Sequence, residues 1–536
     1  MVTRFSKFFI ILIALIGNAG LFAAEVFAAE PPRLIINIVI GSMDAEAILK
    51  YSGRYTDGGL RKLLTEGAVF TDARYESMQT VTPASLATLS TGTMPSTHGT
   101  ISPKWFDYTT GRQINLTEDD GTTDFDARST ETGHSPRHLT TPALADLMMR
   151  ADSSSRIVSL ALTPVSSIVP GGKRGLCFWL DADRCRWTTS TYYTPLLPSW
   201  VKSYNDEDLH ARFLTGQWVA KYERSVYVNH RSPLLFDNDT AKKRAAKKQA
   251  AATTDIDKIL RTPIGNTVLF DFAKYAVKCL NLGNDEHPDM LNICLDTSAE
   301  IAERYGQASV EYEDMIYRLD ADLKEFLAYI NVHLKEKDSV LIVLTSAHGT
   351  SPAYDTDGIE RDRFNVQQFE VIMNAYLNAK YGPGDWVLGY SDRSLYLNRN
   401  FVDEKRLSLI DIQNETAAFA LRFRGVSHAL TSTTLQSSHF AGGYAHRMQN
   451  GFYPRRSGDV VLNLMPETVE EREGYVSQSG SMHGYDTHVP LIFFGAGVKP
   501  QTRTEAVGMT SVAPTLANML GLGELPAAEA KPLILK

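Results

Sequence analysis

Four short stretches of the chain bring together residue types that could do chemistry: IGSMD at Ile40–Asp44, TPASLATLSTG at Thr82–Gly92, TSAHG at Thr345–Gly349 and MHGYDTHVP at Met482–Pro490. Thr82 offers a hydroxyl directly before Pro83, and proline suits the first turn of a helix. That hydroxyl could act as a nucleophile, or simply cap the helix that follows. His348 and His483 can bind a metal or sit as hydrogen-bonded polar residues in a cleft. Glu303, within SAEIAERYG at Ser298–Gly306, is a further oxygen donor. Asp44 and Asp486 could recruit a cation, although Asp44 lies three residues beyond the strand-end position at Gly41. His488 leads into an apolar run and reads as structural.

These residues need rigid elements to hold them. Leu34–Ile40 is a continuous apolar run broken only by Asn37 and ending at Gly41, as a central parallel strand buried on both faces requires. Ala45–Tyr51 and Gly59–Glu66 read as helical, and Ala68–Phe70 opens the next extended segment. Thr82–Leu89 is helix-compatible, and Pro142–Arg150 is a helix feeding the strand Arg156–Leu162. The long amphipathic stretch Met315–Leu334 leads into the strand Ser339–Thr345, and Val489–Phe494 is another buried strand. Strands alternating with helices give an α/β fold with a mostly parallel sheet. Reactive groups in such sheets collect at the carboxyl ends of the strands. Phe178–Tyr193 reads as a hairpin turning at Asp181–Arg184, and Asn398–Phe401 closes a strand.

Composition narrows the classes of function. Among 536 residues, 54 Lys and Arg stand against 62 Asp and Glu, a net charge of −8. Nucleic-acid binding driven by overall positive charge is excluded. The Lys/Ala-rich stretch Thr240–Thr254 could touch an anionic surface, but reads first as a solvated face. Residues 1–29 have the form of a secretory signal peptide: Arg4 and Lys7, the apolar run Phe8–Ile16, then small residues through Ala28-Ala29. Gly17, Asn18, Gly20 and Glu25 interrupt that run too often for a spanning helix. The expectation is an exported protein, periplasmic or associated with the outer surface, with no transmembrane segment after cleavage. Cys177, Cys185, Cys279 and Cys294 then meet an oxidising compartment and permit two disulfides. Local pairing, Cys177 with Cys185 and Cys279 with Cys294, is the shortest arrangement, and four buried thiols are the other reading.

Taken in order, the four turns resemble the alkaline phosphatase superfamily, in its branch of exported bacterial phosphatases related to type I phosphodiesterases and nucleotide pyrophosphatases. TGTMPSTHG at Thr91–Gly99, GFYPRRSGD at Gly451–Asp459 and YGPGDW at Tyr381–Trp386 extend the likeness, which spans Leu34 to Leu522. The resemblance implies an alkaline-phosphatase-like central sheet flanked by helices, one domain over 30–536, with cleft-decorating inserts at about 171–290 and 350–480. It also implies two zinc ions that activate a Ser or Thr nucleophile and stabilise the leaving oxygen. The nucleophile falls on Thr82. The remaining ligand positions fall on Gly41, Ala299, Glu303, Ala347, His348 and His483. Of these six, four differ from the family's pattern, and its three Asp positions have become Gly41, Ala299 and Ala347. Phosphate-contacting positions fall on Pro103 or Lys104 and near Thr163 and Val165, where the family has Asn, Lys and Arg.

The implied function is therefore that of a degenerate member, with two-zinc phosphatase chemistry lost, no cofactor expected, and binding or scaffolding toward an unidentified protein or surface component. The alternative is an active phosphomonoesterase or phosphodiesterase whose zinc site is remodelled around Glu303, His348 and His483. An arylsulfatase is disfavoured, because Thr82 replaces the Cys or Ser that becomes formylglycine and Leu86 stands where Arg belongs.

Overall fold

The Leu34–Ser42 strand lies at the centre of the molecule, and its alternating side chains feed two separate cores. Leu34, Ile36, Ile38 and Ile40 face one side, and Ile35 and Val39 face the other. A strand with both faces covered can be apolar without interruption, which is why the run reads as it does. The computed structural model describes residues 30–125, 132–181, 184–236, 255–336, 339–354 and 361–535. The leader-like segment and the basic stretch Thr240–Thr254 lie outside them.

Nine strands form the central sheet. From one edge they run Gln501–Gly508, Ala68–Arg74, His488–Gly495, Val340–His348, Leu34–Ser42, Asp289–Leu295, Ile157–Ala161, Leu176–Asp181 and Arg186–Thr188. Five of the eight neighbouring pairs are parallel and three antiparallel. The mostly parallel α/β architecture agrees with the sequence reading. Val489–Phe494 is a strand as expected, but it runs antiparallel to both neighbours. The Phe178–Tyr193 hairpin forms through Leu176–Asp181 and Arg186–Thr188.

Helices cover both faces. The Val310–His333 helix starts five residues before the apolar stripe suggested, because Ser309 caps it by accepting from the Tyr312 N–H. Asn398 also caps a helix, Arg399–Glu404, where the sequence suggested only the close of a strand. A second, four-stranded sheet is built from Val387–Ser391, Ser394–Leu397, Val460–Leu464 and Val426–Thr431, with an apolar core of its own around Trp386, Leu395 and Leu462. Among the described residues no helix is long and apolar enough to cross a membrane.

The Thr82–Thr91 helix packs Leu86, Ala87 and Leu89 into the core beneath the central sheet. It stops at Gly92, whose φ of 72° suits glycine and whose added Cβ would stand 2.8 Å from Pro514 Cδ.

The four cysteines are free thiols, contrary to the disulfide expectation. The sheet itself separates the expected local partners. Cys177 and Cys294 belong to the core on the Ile35 side, whereas Cys185 packs against the opposite core. Cys279 is exposed on the Ile264–Leu280 helix, which buries Val268, Phe272 and Val277 in that opposite core. Each local pairing would have to cross the sheet, which disulfide geometry forbids. Burial also raises the Cys177 thiol to about 12 and the Cys185 thiol to about 11, so neither is a ready nucleophile. A thiol reagent should therefore modify Cys279 promptly, Cys185 slowly, and Cys177 and Cys294 only on unfolding, and a reductant should leave the melting temperature unchanged. Native-state reaction of Cys177 or Cys294, or a melting temperature lowered by the reductant, would contradict this arrangement.

Candidate active site

Strand register brings the sequence motifs together. In the parallel pairing of Leu34–Ser42 with Val340–His348, Ile40 stands opposite Ser346 and Ser42 opposite His348, which sets Gly41 beside Ala347. The Asp289–Leu295 strand on the other side leads into the Thr297–Tyr305 helix, which carries Ala299. A Cβ on Gly41 would stand 3.2 Å from Ala299 Cβ, 3.2 Å from Ser298 Oγ and 2.9 Å from the Leu295 carbonyl oxygen. The three positions where the resemblance calls for carboxylates are thus neighbours, with Gly41 beside Ala347 in the register and a side chain at 41 crowded by Ala299.

Hydroxyls hold the strand ends there. Ser346 Oγ lies 2.9 Å from the Ile40 carbonyl and 2.7 Å from the His348 carbonyl, which share its one proton, and accepts from the Met43 N–H at 2.8 Å. Ser298 Oγ accepts from the Ser42 N–H at 3.2 Å and donates to the Leu295 carbonyl at 2.7 Å. Tyr75 and Tyr312 donate to the Ser346 and Ser42 carbonyls. Sequence reasoning passed over Ser298 and Ser346, since a serine gives no signal of its role until its neighbours are known.

Thr82 is the first residue of its helix, not its cap. Val81 holds the cap position, and no side chain caps this N-terminus. Thr82 Oγ1 instead lies 3.0 Å from His348 Nε2. His348 Nδ1 is 2.7 Å from the Gly349 carbonyl oxygen, which can only accept, so the proton sits on Nδ1. Nε2 is then the acceptor, and the Thr82 hydroxyl donates to it. Burial lowers the His348 pKa and keeps the ring neutral.

The other candidates are engaged elsewhere. Glu303 pairs with Arg472 at 2.7 Å and accepts from Ser479 Oγ at 2.8 Å. His483 Nε2 is 3.2 Å from the Leu464 carbonyl, and its ring lies against Tyr485 and Tyr444. Among the described residues, no group of three or more His, Cys, Asp or Glu side chains could hold a metal ion. Asp44 caps the Ala45–Lys50 helix by accepting from the Ala47 N–H at 2.7 Å. Asp486 is fully buried and accepts from the Ser481 N–H at 2.7 Å, with burial raising its carboxyl to about 7. His488 Nε2 donates to the Thr71 carbonyl, the structural role expected of it.

Where the resemblance calls for phosphate-binding cations, the loop instead wraps a carboxylate. Asp296 accepts from the backbone N–H groups of Leu162 (2.9 Å) and Thr163 (3.1 Å) and from the Ser166 hydroxyl. Burial raises Asp296 to about 6 despite those donors. Pro103 offers no donor, and Lys104 is exposed at the start of the Lys104–Phe106 strand.

Comparison with known proteins places this geometry. The family model for type I phosphodiesterase / nucleotide pyrophosphatase matches residues 36–486. The chain belongs to that family. Among its relatives, it is 27% identical to alkaline phosphatase PafA of Elizabethkingia meningoseptica over 97% of this chain and 98% of that one. It is 24% identical to alkaline phosphatase PhoV of Synechococcus elongatus, covering 91% and 90%. The crystal structure of wild-type PafA superimposes with a TM-score of 0.86 at 26% identity, over 94% of this chain and 98% of that one. The fold is therefore alkaline-phosphatase-like, as the sequence motifs implied.

Asp296 provides a pH test. Its native pKa of about 6 lies above its ordinary value of 3.8, so the native state holds a proton that the unfolded state has released between these limits. Stability should fall as pH rises through that window and level off above it. Asp296→Asn keeps an acceptor for the loop and cannot titrate. Relative to wild type, it should gain on the order of 2–3 kcal/mol between about pH 4 and about pH 7 in denaturant titrations. A constant gap between the two proteins would show that Asp296 is not held neutral.

Proposed function

We propose that this chain is an exported member of the type I phosphodiesterase / nucleotide pyrophosphatase family that has lost two-zinc phosphatase chemistry and acts by binding a periplasmic or surface partner. The convergence of Gly41, Ala299 and Ala347 at the strand ends carries this reading. A pair of dications needs anionic donors close by, and a glycine and two alanines supply none. The donor set present does not fit two zinc ions, because Glu303 is neutralised by Arg472 and His483 is turned toward Leu464. Asp296 in the neighbouring loop supports the same conclusion, since a carboxylate does not favour a phosphate dianion. Among the described residues no cluster of carboxylates would need a metal to fold.

One observation favours the alternative of a remodelled phosphatase or phosphodiesterase. Thr82 remains within hydrogen-bond distance of His348, and the relatives PafA and PhoV are alkaline phosphatases. Metal content and turnover separate the two readings. The purified protein should hold no stoichiometric zinc, turn over neither an aryl phosphate nor an aryl phosphodiester, and keep its melting temperature in a chelator. Removing a ligand that binds only the native state lowers stability by mass action, so a tight zinc would reveal itself. A drop of several degrees that added zinc reverses would establish the remodelled enzyme.

Restoring carboxylates should not restore activity. Gly41→Asp must force a side chain to within 2.9 Å of the Leu295 carbonyl. The Gly41→Asp/Ala347→Asp double variant is expected to lose about 1–3 kcal/mol of stability, the usual range for overpacking. It should also show no zinc-dependent phosphatase turnover. Strong turnover in that variant would mean that the crowding at 41 is relieved at little cost.

A further inference from the structure

We propose that Thr82 and His348 form a metal-independent nucleophile–base pair that cleaves uncharged aryl esters, an activity that rests on the reading that zinc is absent from this cleft. The first support is geometric. Thr82 Oγ1 and His348 Nε2 are 3.0 Å apart, and the Gly349 carbonyl, 2.7 Å from Nδ1, fixes the ring's tautomer and orientation. A hydroxyl, an imidazole that accepts from it and a third group that orients the imidazole are the parts of a nucleophilic hydrolase site. The carbonyl of Gly349 takes the place a carboxylate usually holds.

The second support is the setting of Thr82. It opens a helix of 10 residues whose N-terminus has no side-chain cap. Pro83 has no N–H and the Ser85 N–H donates to the Val81 carbonyl at 3.0 Å, which leaves the Thr82 and Ala84 N–H groups as donors for an oxyanion that forms beside Thr82. His348 is 1% exposed while Thr82 is only partly buried, so Thr82 is the member of the pair nearer solvent.

The third support concerns the substrate. Gly41, Ala299 and Ala347 carry no charge where the resemblance calls for carboxylates, and Asp296 is held by the loop where a phosphate would need cations. Thr80 Oγ1 donates to the Ser481 carbonyl at 2.7 Å, which runs the Ser481–His483 segment alongside the start of the helix. On that segment His483 lies edge-on to the exposed ring of Tyr444, with centroids 6.4 Å apart, and the His428 ring is tilted against Tyr444 at 4.9 Å. An uncharged ester suits a site without phosphate-binding cations better than a phosphate does.

The reaction balances without a metal. Thr82 Oγ attacks the carbonyl carbon as its proton passes to His348 Nε2, and the oxyanion forms against the helix N-terminus. Collapse breaks the bond between the acyl carbon and the alcohol oxygen, and His348 returns the proton to that oxygen. Water then attacks the acyl-threonine and gives its proton to His348. The acid departs, and Thr82 regains its proton.

The test uses the full chain in a chelator, with p-nitrophenyl acetate as substrate and a fluorophosphonate as covalent probe, and peptide mass spectrometry to locate the adduct. Wild type should release p-nitrophenol above the buffer rate and carry the adduct on Thr82. Thr82→Ala should abolish both, Thr82→Ser should retain both, and His348→Gln should slow both at least tenfold. Because His348 is buried, melting temperatures of all variants are measured, and Thr82→Ala carries the decision if His348→Gln does not fold. An adduct absent from wild type, an adduct only on other residues, or turnover that survives Thr82→Ala overturns the proposal. No adduct together with no bound zinc would sink this inference and leave the binding reading standing. Labelling of Thr82 only when zinc is added would overturn both.

Discussion

The parallel register of the Leu34–Ser42 and Val340–His348 strands is the constraint on which the rest of the site depends. It is set by backbone hydrogen bonds between two strands buried on both faces, where a slip of one residue would turn every side chain to the wrong core. That pairing puts Gly41 beside Ala347 and Ser42 beside His348. It thereby brings His348 within reach of the hydroxyl at the start of the Thr82–Thr91 helix. The same strands carry the fold shared with alkaline phosphatase PafA, so the frame and the cleft are one structure.

What fills the cleft follows from electrostatics. Carboxylates gathered in a buried cleft repel one another unless a cation lies between them. Gly41, Ala299 and Ala347 remove that repulsion, and Ser298, Ser346, Tyr75 and Tyr312 supply neutral hydrogen bonds to the strand-end backbone. The carboxylates that remain are handled singly. Glu303 is paired with Arg472, Asp44 caps a helix, and Asp296 is wrapped by donors from the Leu162–Ser166 loop. The result is a cleft held by hydroxyls.

Much of the fold was legible because the central strands are apolar on both faces and punctuated by Gly and His at their ends. The runs at Leu34, Ser339 and Val489 each became a strand, and the Thr82 and Pro142 stretches each became a helix. Strand direction was not legible, since an antiparallel strand buried on both faces has the same composition as a parallel one. The four-stranded sheet between Val387 and Leu464 also escaped notice, because its short strands alternate too briefly to show a period. In the site, the residue types at 41, 299 and 347, a glycine and two alanines, were plain from the sequence. Their neighbours were not, because a serine or a backbone carbonyl acquires its role only from what folds against it.

By itself, the sequence determined which family's turns are present and which positions carry no side-chain oxygen, since no fold can lend one to glycine or alanine. Tertiary structure decided how the remaining atoms are used. It turned the Thr82 hydroxyl away from a capping role and onto His348, and it gave Glu303 to Arg472. It also placed each expected cysteine partner on the opposite face of the sheet. Each of these outcomes depends on segments distant in the chain meeting at distances of a few ångströms, which residue spacing along one strand does not encode.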